Sequence, residues 1–133
     1  MDRTDITVIG SGPGGYAAAI RAAQLGARVV LVEKDQPGGT CLNRGCIPTK
    51  ALVAAANKVR DFRRALAGGV VTGHLAVNYR KIGEDKNRAV ESLRQGLWQL
   101  LQKNKVNLVH ARAGVSEPGL VCLQFPSGEE RQL

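Results

Sequence analysis

Cys41 and Cys46, with four residues between them, are the side chains best suited to chemistry in this sequence. Thiols at that spacing can form a disulfide and exchange it, ligate a metal, or simply fill space. In a regular helix, residues five apart lie roughly 8 Å apart along the axis, at about 1.5 Å per residue. A disulfide needs Cα atoms nearer about 5.5 Å. A bridge therefore requires a departure from ideal helix. Gly45 permits one, and Pro48 is tolerated in a first helical turn. Such a bridge closes a very short loop and constrains the unfolded chain little, which suits exchange better than stapling. Near a helix start, Cys46 would be biased toward thiolate. Taken alone, the pair also fits two unpaired structural cysteines. A zinc half-site needs further ligands, and His74, His110 and Cys122 are far apart in sequence.

A phosphate cradle lies upstream. Ile6-Thr7-Val8-Ile9 reads as a buried strand. It runs into Gly10-Ser11-Gly12-Pro13-Gly14-Gly15, a G-x-G-x-x-G pattern at Gly10, Gly12 and Gly15. In that pattern the first glycine makes the turn, the second admits a pyrophosphate, and the third packs helix on strand. A helix follows over 16–25, with Pro13 in its opening turn and Gly26 as its stop. Val29-Val30-Leu31-Val32 completes the βαβ unit, and Glu33 ends it where a carboxylate accepts from both hydroxyls of a ribose. A glycine loop placed between strand and helix and answered by a strand ending in Glu predicts dinucleotide binding.

The remaining elements position these two features. A helix is expected from Ala51 to about Ala67, broken by Gly68-Gly69. Val70–Val77 is ambiguous between loop and extended chain. A long helix over Tyr79–Lys103 carries an apolar stripe of Ile82, Ala89, Val90, Leu93, Leu97, Leu100 and Leu101, read as packing on the sheet. A strand is expected from Val106 to Ala111, continuing toward Val115. Another covers Leu120–Phe125, and Pro126-Ser127-Gly128 turns into the start of a return strand. A hairpin interrupted in its second arm suggests truncation. Cys122 sits in a plain strand pattern and is read as structural. The fold class is α/β: a Rossmann-like βαβ domain with a C-terminal β-hairpin or meander.

Composition bounds the function. The chain has 133 residues, enough for one domain, and is 44% hydrophobic. Its net charge of +8 is scattered and only 4% of residues are aromatic, which argues against a nucleic-acid module. A pyrophosphate cofactor also suits a basic surface. There is no signal-peptide pattern and no apolar run of membrane length, so a cytoplasmic protein is expected. There, a disulfide is more often catalytic than structural.

With these residues in view, the whole chain resembles the N-terminal part of the flavin-dependent pyridine nucleotide-disulfide oxidoreductases. The most specific match is Gly39-Thr40-Cys41-Leu42-Asn43-Arg44-Gly45-Cys46-Ile47-Pro48-Thr49-Lys50. Its Leu42-Asn43-Arg44 interior looks most like the dihydrolipoyl dehydrogenase branch, rather than glutathione or mercuric reductases. The resemblance implies FAD as cofactor, with Gly10, Gly12, Pro13, Gly14 and the helix start at its pyrophosphate, and Glu33 with the adjacent Lys34 at the adenosine ribose. It implies that Cys41 exchanges with a dithiol substrate, free or carried on a lipoyl domain. Cys46 would lie against the isoalloxazine ring, Gly39 and Thr40 beside it, and Lys50 near the reactive flavin nitrogen. Ala113 would touch the adenine through its backbone, in a segment where family members often carry glycine.

The family mechanism also requires an NAD-binding βαβ unit, a later Gly-Asp segment, and a dimerisation domain whose His-Glu pair serves the partner subunit in a homodimer. None of these is in the 133 residues, and neither His74 nor His110 has the context to replace that histidine. The expectation is the FAD-binding part of an enzyme passing electrons from dihydrolipoamide through Cys41–Cys46 and FAD to NAD, inactive alone. The alternatives are a stand-alone flavin or nucleotide module, another reductase of the family, or a small thiol-exchange or metal-handling protein.

Overall fold

A computed structural model describes residues 4–133. Three strands form a parallel sheet in the order β1-β2-β3: β1 (Ile6–Ile9), β2 (Val29–Glu33) and β3 (Asn107–His110). Leu31 of β2 lies opposite Val8 on one side and Leu108 on the other. Every residue of β2 is buried, as its continuous apolar run implies for a strand flanked on both sides and covered on both faces. Three further strands, β4 (Arg112–Glu117), β5 (Leu120–Gln124) and β6 (Glu130–Gln132), form an antiparallel meander in chain order.

Alternation along β2 builds two cores. Val29 and Leu31 face Ala19, Leu97, Leu101 and Val106, the cluster beneath helices α1 (Pro13–Gln24) and α4 (Tyr79–Lys103). Val30 and Val32 face Ala111 and Leu123, the cluster beneath the meander. The parallel sheet is thus the middle layer, with helices on one face and the second sheet on the other. Two more helices, α2 (Gly39–Asn43) and α3 (Cys46–Ala67), carry the cysteines, and α3 packs along α4. Asn78 caps α4 by accepting from the Lys81 amide at 3.0 Å. No strand forms over 70–77.

Three elements differ from the sequence reading. The helix expected from Ala51 begins at Cys46, because Pro48 falls in the first turn, where a missing N–H costs nothing. The strand expected from Val106 toward Val115 is two strands in two sheets. The chain leaves β3 at His110, and buried Ala111 donates its amide to the Glu33 carbonyl at 2.9 Å before β4 begins. Within the α4 stripe, Val90, Leu97 and Leu101 are buried, whereas Leu93 and Leu100 are exposed.

Candidate functional site

The glycine loop connects the carboxyl end of β1 to α1, and its glycines serve different physical ends. Gly10 adopts φ +92°, a left-handed conformation that side chains disfavour. A Cβ on Gly15 would overlap the Gly10 carbonyl oxygen. Gly12 has φ −65° and ψ −179°, open to any residue, yet a Cβ there would meet nothing within 4 Å. Gly14 likewise faces open space. Beside the first turn of α1, where unpaired N–H groups collect, these two glycines leave room for an anionic group to approach the backbone. The residues present therefore fit a pyrophosphate.

Glu33 sits at the end of β2, 9% exposed. Its Oε2 accepts from the Ser11 amide at 2.9 Å and the Ser11 hydroxyl at 2.7 Å, and Oε1 accepts from the Asp35 amide at 3.0 Å. Three of roughly four acceptor positions on the carboxylate are occupied. Accepting from both ribose hydroxyls would require the Ser11 hydroxyl to turn away. Burial pushes the Glu33 carboxyl upward, but hydrogen bonds from Ser11 and from the Asp35 and Lys34 amides outweigh it and hold it below the ordinary value of 4.5. A depressed folded-state pKa stabilises the fold above the unfolded value, and that contribution is lost as pH falls through the folded one. Glu33→Gln is expected to flatten the loss of stability as pH falls through and below the ordinary carboxylate value of 4.5, read from urea unfolding midpoints at each pH. Asp35, held low chiefly by its hydrogen bond from Arg44, leaves a residual slope.

A cleft of about 610 Å³ opens at the carboxyl ends of β1 and β2. Gly10, Glu33 and Lys34 line it from the parallel sheet, and Ala113 and Gly114 from the meander. The switch of sheets at Ala111 is what brings Ala113 to the same opening as Glu33.

The cysteine segment docks directly on the glycine loop. The Gly38 amide donates to the Ser11 carbonyl at 3.0 Å. Gly39, at φ +64°, comes so close that a Cβ would lie 2.7 Å from the Gly12 Cα. Cys41 in α2 and Cys46 at the start of α3 are joined in a disulfide, with Cα atoms 4.7 Å apart. The departure from helix that this needs occurs at Arg44 and Gly45, between the two helices. Cys46 is exposed and Cys41 half-buried. Thr40 and Lys50 are exposed on the same segment, and Pro48 is buried. Cys122 is free in β5, its Sγ 3.5 Å from the Ser116 hydroxyl.

Sequence reasoning did not single out Ser11 or Arg94, and it used Asn43 only as part of the motif, without the contact to Arg94. Ser11 is fully buried and ties Glu33 to the cysteine segment. Asn43 bridges that segment to Arg94 of α4. Their partners lie 22 and 51 residues away, so no local pattern marks them. Among the described residues, no helix is long and apolar enough to cross a membrane.

Comparison with known proteins agrees with this arrangement. A family model described as pyridine nucleotide-disulphide oxidoreductase matches residues 4–133. Dihydrolipoyl dehydrogenase from Staphylococcus aureus is 48% identical over 110 residues, 83% of this chain and 24% of that protein. The enzyme of that name from Bacillus subtilis is 38% identical over 136 residues, 97% of this chain and 29% of that protein. Among solved structures, the Cu(II) complex of the HOCl-induced flavoprotein disulfide reductase RclA from Escherichia coli superposes with a TM-score of 0.80 at 25% identity. It covers 99% of this chain and 26% of that one. The chain spans about a quarter of the length of the curated relatives it matches. Together, the βαβ cradle, the disulfide docked against it and the match over residues 4–133 place the chain in the pyridine nucleotide-disulphide oxidoreductase family.

Proposed function

We propose that residues 1–133 form the FAD- and disulfide-bearing part of a dihydrolipoyl dehydrogenase-like enzyme, whose NAD-binding and dimer-forming parts lie outside them. The observation that carries this reading is the contact between the two chemical features. The helix holding Cys41 starts against the Gly12 backbone, so a dinucleotide in the glycine cradle would lie beside the disulfide. Gly10, Gly12, Pro13 and Gly14 would hold the pyrophosphate, and Glu33 with Lys34 the ribose. Ala113 would border the adenine, while Gly39, Thr40 and Lys50 would border the flavin ring. Bound FAD would supply a two-electron acceptor for the reduced cysteine pair.

The chain's own step is thiol–disulfide exchange. A thiolate of dihydrolipoamide attacks Sγ of Cys41, forming a mixed disulfide and expelling Cys46 as thiolate. The second substrate thiol then displaces Cys41, closing the cyclic disulfide of lipoamide. Two electrons and two protons leave the substrate, and the cysteine pair receives the electrons. Cys46 suits the leaving role because it begins the 22-residue α3, whose N-terminal dipole and free N–H groups favour thiolate. A lower thiol pKa makes a faster leaving group. In the full enzyme the electrons pass on to NAD, and the functional unit is a cytoplasmic homodimer acting on free or domain-bound lipoyl groups.

Titration of the purified chain with FAD, followed by quenching of flavin fluorescence, tests this reading. The expected result is saturable uptake of one flavin per chain. Absence of saturable uptake both here and in a longer chain that adds the later Gly-Asp segment would overturn it.

A further inference from the structure

Asn43 lies between the two cysteines, and its amide is engaged at both ends. Its Nδ2 donates to the carbonyls of Gln36 at 3.2 Å, Pro37 at 3.0 Å and Gly39 at 2.9 Å. Its Oδ1 accepts from Nε and Nη2 of Arg94, at 3.1 and 3.0 Å. A guanidinium can only donate, so Arg94 fixes which way this amide faces. Arg94 is fixed in turn, because its Nη1 donates to Glu91 Oε2 at 2.8 Å, one turn earlier in α4. The Arg94 side chain is only 26% exposed, so its hydrogen bonds are partly withdrawn from water. The long, regular α4 thereby holds the short α2, which carries Cys41, in a set position relative to Cys46.

We propose that Arg94, acting through Asn43, is a positioning residue that favours the bridged state of the Cys41–Cys46 couple. The bridge requires the two Cα atoms to sit 4.7 Å apart across a break between helices. A five-residue helix has too few internal bonds to hold that arrangement by itself. The Asn43–Arg94 contact ties the segment to α4, in addition to the Gly38–Ser11 hydrogen bond and the Arg44–Asp35 ion pair that hold it elsewhere. A contact made best in the bridged geometry must, by linkage, shift the couple toward the disulfide. The inference rests on the reading of Cys41–Cys46 as a couple that cycles.

The test equilibrates the chain with graded ratios of reduced and oxidised dithiothreitol, then counts thiols by alkylation and mass spectrometry. In that exchange the reagent loses two electrons and two protons as its ring closes. The Cys41–Cys46 bond opens to two thiols. Arg94→Met keeps the apolar stem and removes the donors. It is expected to shift the equilibrium toward the dithiol about tenfold, the scale set by losing a charge-assisted hydrogen bond. Arg94→Lys should recover part of the shift, since an ammonium donates without the planar fork. Urea unfolding of both redox forms gives the second readout, and Arg94→Met should destabilise the bridged form more than the dithiol form. Equal destabilisation of the two forms, with an unchanged equilibrium, would overturn the proposal. If Arg94→Met does not fold, Glu91→Gln removes the charge that holds the far end of the guanidinium and should shift the equilibrium the same way by less. No shift in Glu91→Gln or Arg94→Lys would then overturn it. A wild-type chain that stays bridged at every ratio contradicts the cycling couple itself. A wild type that cycles, with variants that match it, contradicts only the role of Arg94.

Discussion

Cys46→Ser is expected to abolish dithiol-driven reduction of bound FAD, by on the order of 10⁴-fold, the scale seen when a residue of a covalent mechanism is removed. The reason is chemical rather than structural. A serine hydroxyl cannot form the bridge and is too weak an acid to leave as an anion. Cys46 is exposed, so the smaller serine costs the fold little. Cys41→Ser should abolish turnover equally and yet leave a different species behind. With Cys46 replaced, Cys41 remains able to form a mixed disulfide with an added lipoyl disulfide, which mass spectrometry detects. With Cys41 replaced, Cys46 remains at the start of α3, where the helix N-terminus is expected to favour the thiolate. Its rate of alkylation at neutral pH should exceed that of Cys41 in the Cys46→Ser protein. The reverse order of alkylation rates would exchange the two roles.

Gly12→Val is expected to weaken FAD binding about a hundredfold while leaving the apo fold intact, since crowding a close contact costs about 1–3 kcal/mol. Both halves follow from the backbone. The φ and ψ of Gly12 suit any residue, and a Cβ there points into open space, so valine strains nothing in the empty protein. That same space is where the proposed pyrophosphate would lie to reach the first turn of α1. Gly15→Val, three residues on, should behave oppositely. Its Cβ would overlap the Gly10 carbonyl oxygen, so the loop itself must shift and the unfolding midpoint falls before any cofactor is added. Circular dichroism of the apo proteins and FAD titration separate the two outcomes. Normal FAD affinity in Gly12→Val would contradict the placement of the pyrophosphate.

The parts of this fold legible in the sequence are those whose pattern is local. Ile6–Ile9, the glycine loop, the helix after it and Val29–Glu33 are written in one continuous stretch and form where expected, although β1, read as buried, lies at the sheet edge with Ile6 and Ile9 exposed. The long helix over Tyr79–Lys103 was legible because its apolar residues recur at helical spacing for many turns. What stayed hidden depends on distant partners. Val106–Val115 reads as one strand, and only the packing of Ala111 against β2 and the meander splits it between sheets. Leu93 and Leu100 share the apolar period of α4 but miss the face that meets the core. The start of α3 near Cys46, with Pro48 in its first turn, was already implied by the cysteine spacing, although the residue pattern itself marks a helix only from Ala51.

The candidate site divides along the same line. The cysteine pair and the glycine cradle were visible as motifs, because turn-forming glycines and paired thiols announce their chemistry by type and spacing. The residues that join them were not. Ser11 looks like filler in a glycine loop until its hydroxyl is seen on Glu33 and its carbonyl on the Gly38 amide. Arg94 looks like one more surface charge on a helix until its guanidinium is found on Asn43.

On the proposed reading, the disulfide and the dinucleotide cradle form one redox unit. Anaerobic addition of dihydrolipoamide to the FAD-loaded chain, followed by its visible spectrum and by a count of the lipoamide formed, tests it most directly. One lipoamide disulfide should form per chain, together with new long-wavelength absorbance from a Cys46 thiolate beside the flavin. Stoichiometric FAD binding with Cys41–Cys46 fully reduced and the flavin spectrum unchanged would contradict it.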